Sequence, residues 1–137
     1  LHVGGWRLDQ SMDGATVVGA PNRALGQRHV EPEQLLVHTD QGSQYRATDY
    51  RDLLHKHGLV CSMSAKGCCW DNAVVESFFG SLKSERVHWR SYQTREEARA
   101  DIVDYITMFY NSHRLHSYLG YRSPDEFERN GHLANAA

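Results

Sequence analysis

Gln34-Leu35-Leu36-Val37-His38-Thr39-Asp40-Gln41-Gly42 is the stretch on which the fold turns. A short apolar run follows the turn at Pro32 and stops at a carboxylate and a glycine. The run is too short for a helix and fits a buried strand that ends in a polar loop. Just downstream, Thr48 is placed to cap a helix whose apolar face is Tyr50, Leu53 and Leu54, with Gly58 as its stop. Leu59-Val60-Cys61-Ser62-Met63 reads as a second short strand. Strand, helix and strand in that order predict an α/β layer architecture.

The reading then widens in both directions. Upstream, residues 13–28 carry Val17, Val18, Ala20, Ala24 and Leu25 at helical spacing. Pro21 is expected to kink or shorten this helix, since an interior proline costs ~3 kcal/mol. Asp13 reads as its start, and His2 to Leu8 as a short strand carrying Val3 and Trp6. Downstream, Ser64 to Trp70 is a loop, and a helix begins near Asp71-Asn72 and runs through Val75, Phe78, Phe79 and Leu82 to about Val87. Thr94 and Glu97 form a capping box, followed by a core-facing stripe of Ala98, Ile102, Tyr105, Ile106 and Phe109 that ends near Asn111. Ser123-Pro124-Asp125-Glu126 starts a last helix. Residues 1–130 are expected to form one core and residues 131–137 a frayed tail.

Composition narrows the function classes. The 137 residues are 40% apolar and 23% charged, which suits one globular domain and excludes low-complexity, collagen-like and disulfide-scaffold chains. A formal charge of -2 makes no bulk case for a nucleic-acid partner, so any such case rests on local placement. No apolar run is long enough to span a membrane, and the N-terminus is not a signal peptide. Three cysteines, an odd number, fit a reducing cytosol. His113 and His116 lack the cysteine pair that would complete a zinc site.

Two carboxylates stand out. Asp40 and Glu76 are 36 positions apart, a spacing that Asp49 and Glu85 share, so context must separate the pairs. Asp49 falls on the polar face of a helix. Asp40 ends an apolar strand, where a rigid backbone can hold a carboxylate at the sheet edge. At 100° per residue, Val75, Phe79 and Leu82 share one side of the Asp71 helix, while Asn72, Glu76, Gly80 and Lys83 share another. Lys83 lies two turns beyond Glu76, with Gly80 leaving a flat spot between them. Such a face suits a phosphodiester approaching a metal site; an ordinary solvated charge pair is the competing reading. Strand-end and helix-face carboxylates are the donors that Mg²⁺ prefers. Arg86, Arg90, Arg95 and Arg99 add a basic stretch diluted by Glu96, Glu97 and Asp101.

His38-Thr39-Asp40-Gln41-Gly42-Ser43-Gln44-Tyr45 resembles the transposases of bacterial insertion sequences whose catalytic core is similar to retroviral integrase. Ser62-Met63-Ser64, Gly67, Asp71-Asn72-Ala73, Glu76-Ser77-Phe78-Phe79 and Leu82-Lys83 extend the likeness. So do Tyr110-Asn111, Arg114, His116, Leu119-Gly120, Ser123-Pro124 and Phe127. The resemblance implies an α/β ribonuclease H-like fold with a DDE site. In it Asp40 is the second catalytic Asp, Glu76 the catalytic Glu, and both are ligands of Mg²⁺ (or Mn²⁺). Lys83, Asn72 and Arg86 are the implied DNA contacts. The implied reactions are cleavage and strand transfer of transposon ends into target DNA, by a homo-oligomer in the cytoplasm with no membrane partner. The first catalytic Asp of the family precedes the segment like Val3-Gly4-Gly5-Trp6, so the chain reads as a core truncated at its N-terminus and inactive alone. Two other readings stay open: a non-catalytic relic that at most binds DNA or a full-length transposase, and a small Mg²⁺-dependent nuclease.

Overall fold

The computed structural model describes residues 2–11, 13–29, 31–65 and 72–136. The loop residues Cys68, Cys69 and Trp70 lie outside the described residues. Five helices and two strands follow in order: α1 (Gly14–Gln27), β1 (Leu36–Thr39), α2 (Thr48–Lys56), β2 (Val60–Met63), α3 (Ala73–Glu85), α4 (Arg95–Asp104) and α5 (Pro124–Ala136). Helix α4 runs directly into a π-helical stretch, Tyr105–Tyr110. Chain contacts group into two compact units. One is Gly4–Glu76; the other is Leu1–Val3 with Ser77–Ala137.

In the Gly4–Glu76 unit the strand–helix–strand order is realised, but the first strand is not buried: Leu36 is 59% exposed. β1 and β2 pair in parallel, with Leu36 opposite Val60 and Thr39 opposite Met63. Parallel partners need a crossover, and α2 supplies it. Tyr50, Leu53 and Leu54 are buried as expected, and Gly58 turns the chain at φ 63°. Thr48 is the first helical residue and not the cap, which is Ala47 without a side-chain bond. Val17, Tyr50, Leu54 and Leu59 form the core, with Val37 and Tyr45 packed against it. Burial pushes the Tyr50 hydroxyl up to about 12.

Two upstream expectations are corrected. Helix α1 continues through Pro21 without a break. Asp13 caps it by accepting from the Thr16 amide at 3.0 Å, and Val17 sinks into the core, which together offset the missing amide donor. Residues 2–9 form no strand. They run as irregular chain, and Gly5 lies so close to α1 that a Cβ there would stand 2.2 Å from the Ala20 carbonyl oxygen. Backbone packed that tightly on a helix is a spacer rather than a ladder partner. Trp6 is half-buried under the Arg23 guanidinium, 5.8 Å from its ring, which is a packing role.

In the other unit the Thr94–Glu97 capping box forms in both directions. The stripe behind it is shifted by one residue. Ile102, Tyr105 and Ile106 are buried, but Phe109 is 39% exposed and Tyr110 takes the buried place. The i→i+5 bonds of the π-helical stretch, such as the Asn111 amide to the Ile106 carbonyl at 2.9 Å, widen the turn and bring Tyr105 and Tyr110 to one face. Asn111 is buried and clasps the Val3 backbone, accepting from its amide at 2.9 Å and donating to its carbonyl at 3.1 Å. Ser123 caps α5 by accepting from the Glu126 amide at 3.2 Å. Helix α5 continues to Ala136, through the stretch expected to fray. No helix among the described residues is long and apolar enough to cross a membrane.

Candidate active site

Asp40 follows the last residue of β1 and is exposed. Its Oδ1 accepts from the Gly42 amide at 2.8 Å, a local turn that holds the carboxylate at the strand end. Gly42 leaves room for two neighbouring side chains there. A Cβ would stand 2.9 Å from Asp40 Oδ1 and 2.7 Å from the Gln44 side-chain amide. Asp40 Oδ2 has no protein partner among the described residues. Burial and then the charge of Asp40 raise the Tyr45 hydroxyl above its ordinary value.

Glu76 lies in the first turn of α3, exposed, with its carboxylate unpartnered among the described residues. The helix N-terminus favours a negative charge at that place. Asn72 precedes α3, and its Nδ2 donates to Ser64 Oγ at 3.3 Å. Ser64 is buried, and its amide donates to the Thr39 carbonyl at 2.9 Å. Asn72 and Ser64 thus form a chain of hydrogen bonds from the residue before Asp40 to the start of the helix that bears Glu76. Asn72, a candidate DNA contact by sequence, makes this tie within its own unit. Ser64 belongs to the Ser62-Met63-Ser64 motif, but its part in the tie joins residues far apart in the chain, which no local pattern records. His38 Nδ1 lies 3.0 Å from Ser62 Oγ, bridging β1 and β2.

Lys83 is exposed in the last turn of α3, without an ion-pair partner among the described residues. Gly80 meets nothing within 4 Å, so the helix face between Glu76 and Lys83 is bare there. Leu82 is buried, but Val75 and Phe79 of the apolar side are 55% and 47% exposed. Arg86, the third candidate DNA contact, bonds to two carboxylates of its own unit. Its Nη1 lies 2.7 Å from Asp101 and 3.0 Å from Asp104, and its plane sits over Tyr105. Those donors are spent within its own unit. Glu85, the partner in the look-alike spacing, is likewise spent. It takes three bonds from Arg114 at 2.7–3.0 Å and one from Tyr105 Oη at 2.8 Å. Arg114 and Tyr105 hold its carboxyl below the usual range against the effect of burial.

The donor set decides what the site can hold. Two free carboxylates are hard oxygen ligands that suit a hydrated Mg²⁺, which binds through one or two carboxylates and keeps several waters. Among the described residues no group of three or more His, Cys, Asp or Glu is placed to hold a metal ion.

Comparison with known proteins is consistent across three kinds of likeness. Two family models, each described as an integrase core domain, match residues 2–69 and 76–131. The transposase InsF of insertion sequence IS3A from Escherichia coli (strain K12) is 46% identical over 124 residues, covering 90% of this chain and 43% of that protein. The transposase of insertion sequence element IS904 from Lactococcus lactis subsp. lactis (strain IL1403) is 42% identical over 125 residues, covering 91% and 49%. The chain thus spans less than half the length of these relatives. The crystal structure of the catalytic core domain of BIV integrase superposes with a TM-score of 0.67 at 17% identity, covering 96% of this chain and 80% of that one. That likeness shows the ribonuclease H-like α/β fold.

Proposed function

Because the chain belongs to the integrase-core family of insertion-sequence transposases, we propose that it is the part of such an enzyme that supplies two of its active-site carboxylates. The reaction is cleavage of a transposon end and transfer of its strand to target DNA, in the cytoplasm, by an assembly of several copies. The observation that carries this reading is the free Asp40 carboxylate at the end of β1, tied through Ser64 and Asn72 to the start of the helix bearing Glu76.

Asp40 and Glu76 would hold Mg²⁺ or Mn²⁺. When bound, such an ion lowers the pKa of a water or 3′-hydroxyl and neutralises charge on the phosphate. The remaining work falls to the chain. Gly42 fixes one oxygen of Asp40 and leaves the other for the ion. Asn72 and Ser64 keep the α3 start against the strand end. Lys83 takes a phosphate oxygen of the bound DNA two turns beyond Glu76, across the bare face at Gly80.

Calorimetric titration of the chain with Mn²⁺ tests the metal site apart from any cutting. One saturable site is expected, lost in Asp40→Asn and in Glu76→Gln and retained in Asp49→Asn. Retention of the site in both of the first two variants would remove them as ligands. A separate measurement concerns Lys83. In the transposase that contains this core, Lys83→Ala is expected to weaken end binding and to lower the slope of log K against log salt by about one. An unchanged slope would take Lys83 out of the DNA path.

A further inference from the structure

Residues 114–122 fold back on themselves in a turn that the catalytic reading does not use. The His116 amide donates to the Arg122 carbonyl at 3.1 Å and the Tyr121 amide to the His116 carbonyl at 2.9 Å. Ser117–Leu119 makes a 3-10 turn closed by the left-handed Gly120 at φ 65°. Tyr121, the next residue, is also left-handed at φ 57°. Glycine adopts that conformation freely, but a tyrosine is strained in it. Packing does not repay the strain. The Tyr121 side chain is 72% exposed, and Tyr118 is 91% exposed.

The same turn holds a cation, Arg122. Arg122 Nε donates to the Leu119 carbonyl at 3.1 Å, and its guanidinium lies 5.0 Å over the Phe127 ring. Those contacts fix its direction, yet it meets no carboxylate among the described residues. Arg86, Arg90 and Arg114 of the same unit are all neutralised by carboxylates. A rigid turn therefore presents one oriented, uncompensated guanidinium and two bare phenol rings. A fixed guanidinium fork matches a phosphate, and flat rings stack on bases. Duplex DNA keeps its base faces hidden, so the rings favour unpaired nucleotides.

We propose that the 115–122 turn is a platform for unpaired nucleotides of the DNA substrate, with Arg122 on a phosphate and Tyr118 and Tyr121 on bases. This rests on the reading of the chain as a DNA-processing core and specifies the form of DNA that it grips. The test is fluorescence anisotropy with a labelled single-stranded oligonucleotide and its duplex, without divalent metal, on the 137-residue chain. Tyr118→Ala and Tyr121→Gly are each expected to weaken single-strand binding about tenfold while changing duplex binding less than twofold. Tyr121→Gly is also expected to raise the Tm, since glycine relieves the strained backbone. A merely structural tyrosine would not lose binding as stability rises. Wild-type single-strand affinity in both variants, equal losses on single strand and duplex, or no binding by the parent chain would each overturn the platform. The Mn²⁺ titration of Asp40 and Glu76 needs no DNA and this assay needs no metal, so failure of the metal site and failure of the platform read out separately.

Discussion

A polypeptide of residues 1–137, given Mg²⁺ or Mn²⁺ and a duplex carrying the parent element's end, is expected neither to nick nor to join DNA. In-line phosphoryl transfer needs its ions fixed in place. Asp40 and Glu76 are two ligands, and no cluster of three is available among the described residues. The two upstream aspartates are engaged. Asp9 pairs with Arg7 at 2.9 Å, and Asp13 caps α1. Among the described residues β1 pairs with β2 alone, and its other edge has no strand partner there. A version extended upstream through a strand bearing the first Asp is expected to fill that edge and to cut at the element's end. In the extended protein, Glu76→Gln should reduce cutting about 10³-fold or more. Loss of several kcal/mol of charge stabilisation, at tenfold per ~1.4 kcal/mol, gives that scale. End-specific cutting by the short polypeptide, abolished by Glu76→Gln, would overturn this and make Asp9 or Asp13 a third ligand.

Much of the frame was legible because each feature is local. Leu35 to Thr39 can be read as a strand from five residues, and the Thr94–Glu97 box from four. Ser123 with Pro124 marks a helix start for the same reason. The misreadings share a cause in packing that no local pattern records. Pro21 looks like a break until Val17 and the Asp13 cap hold the helix around it. Phe109 looks like core until a π-helical turn advances the buried face to Tyr110. For Arg86 a sequence shows the charge but not its bonds to Asp101 and Asp104, 15 and 18 residues away. For the candidate site, the strand end at Asp40 and the helix under Glu76 could be read. The Thr39–Ser64–Asn72 tie could not, since it joins residues up to 25 apart through a serine.

Acid is expected to destabilise the Ser77–Ala137 unit in two stages, and Asp101→Asn to reduce the second. Asp101 is 8% exposed and takes Arg86 at 2.7 Å, Arg90 at 2.9 Å and the Tyr92 hydroxyl. Burial pushes its carboxyl up, but the bonds from Tyr92 and Arg86 and the charge of Arg90 outweigh it and hold the pKa below the ordinary 3.8. The unfolded chain therefore takes up that proton first. The contribution is complete above about 3.8 and is lost as pH falls through the lower folded value. His116 works higher on the scale. Burial, and then Arg114, lower its pKa below the ordinary 6.5, and its Nε2 is buried without a partner. The unfolded state gains this proton first too, so stability begins to fall as pH drops below about 6.5. Asp101→Asn should lower stability at pH 7 by about 2–3 kcal/mol, discounted from the cost of breaking a fully buried pair because Arg90 is half exposed. For a chain of this size that is a Tm lower by about 10 °C. The amide would also turn donors toward two arginines. Calorimetric scans from pH 7 to pH 3 check the whole pattern. The variant should start lower and keep the shallow loss below pH 6.5, with a much reduced drop below pH 4. The same steep drop in the variant would move the acid lability to another carboxylate, with Glu85 and its Arg114 clamp the next to test.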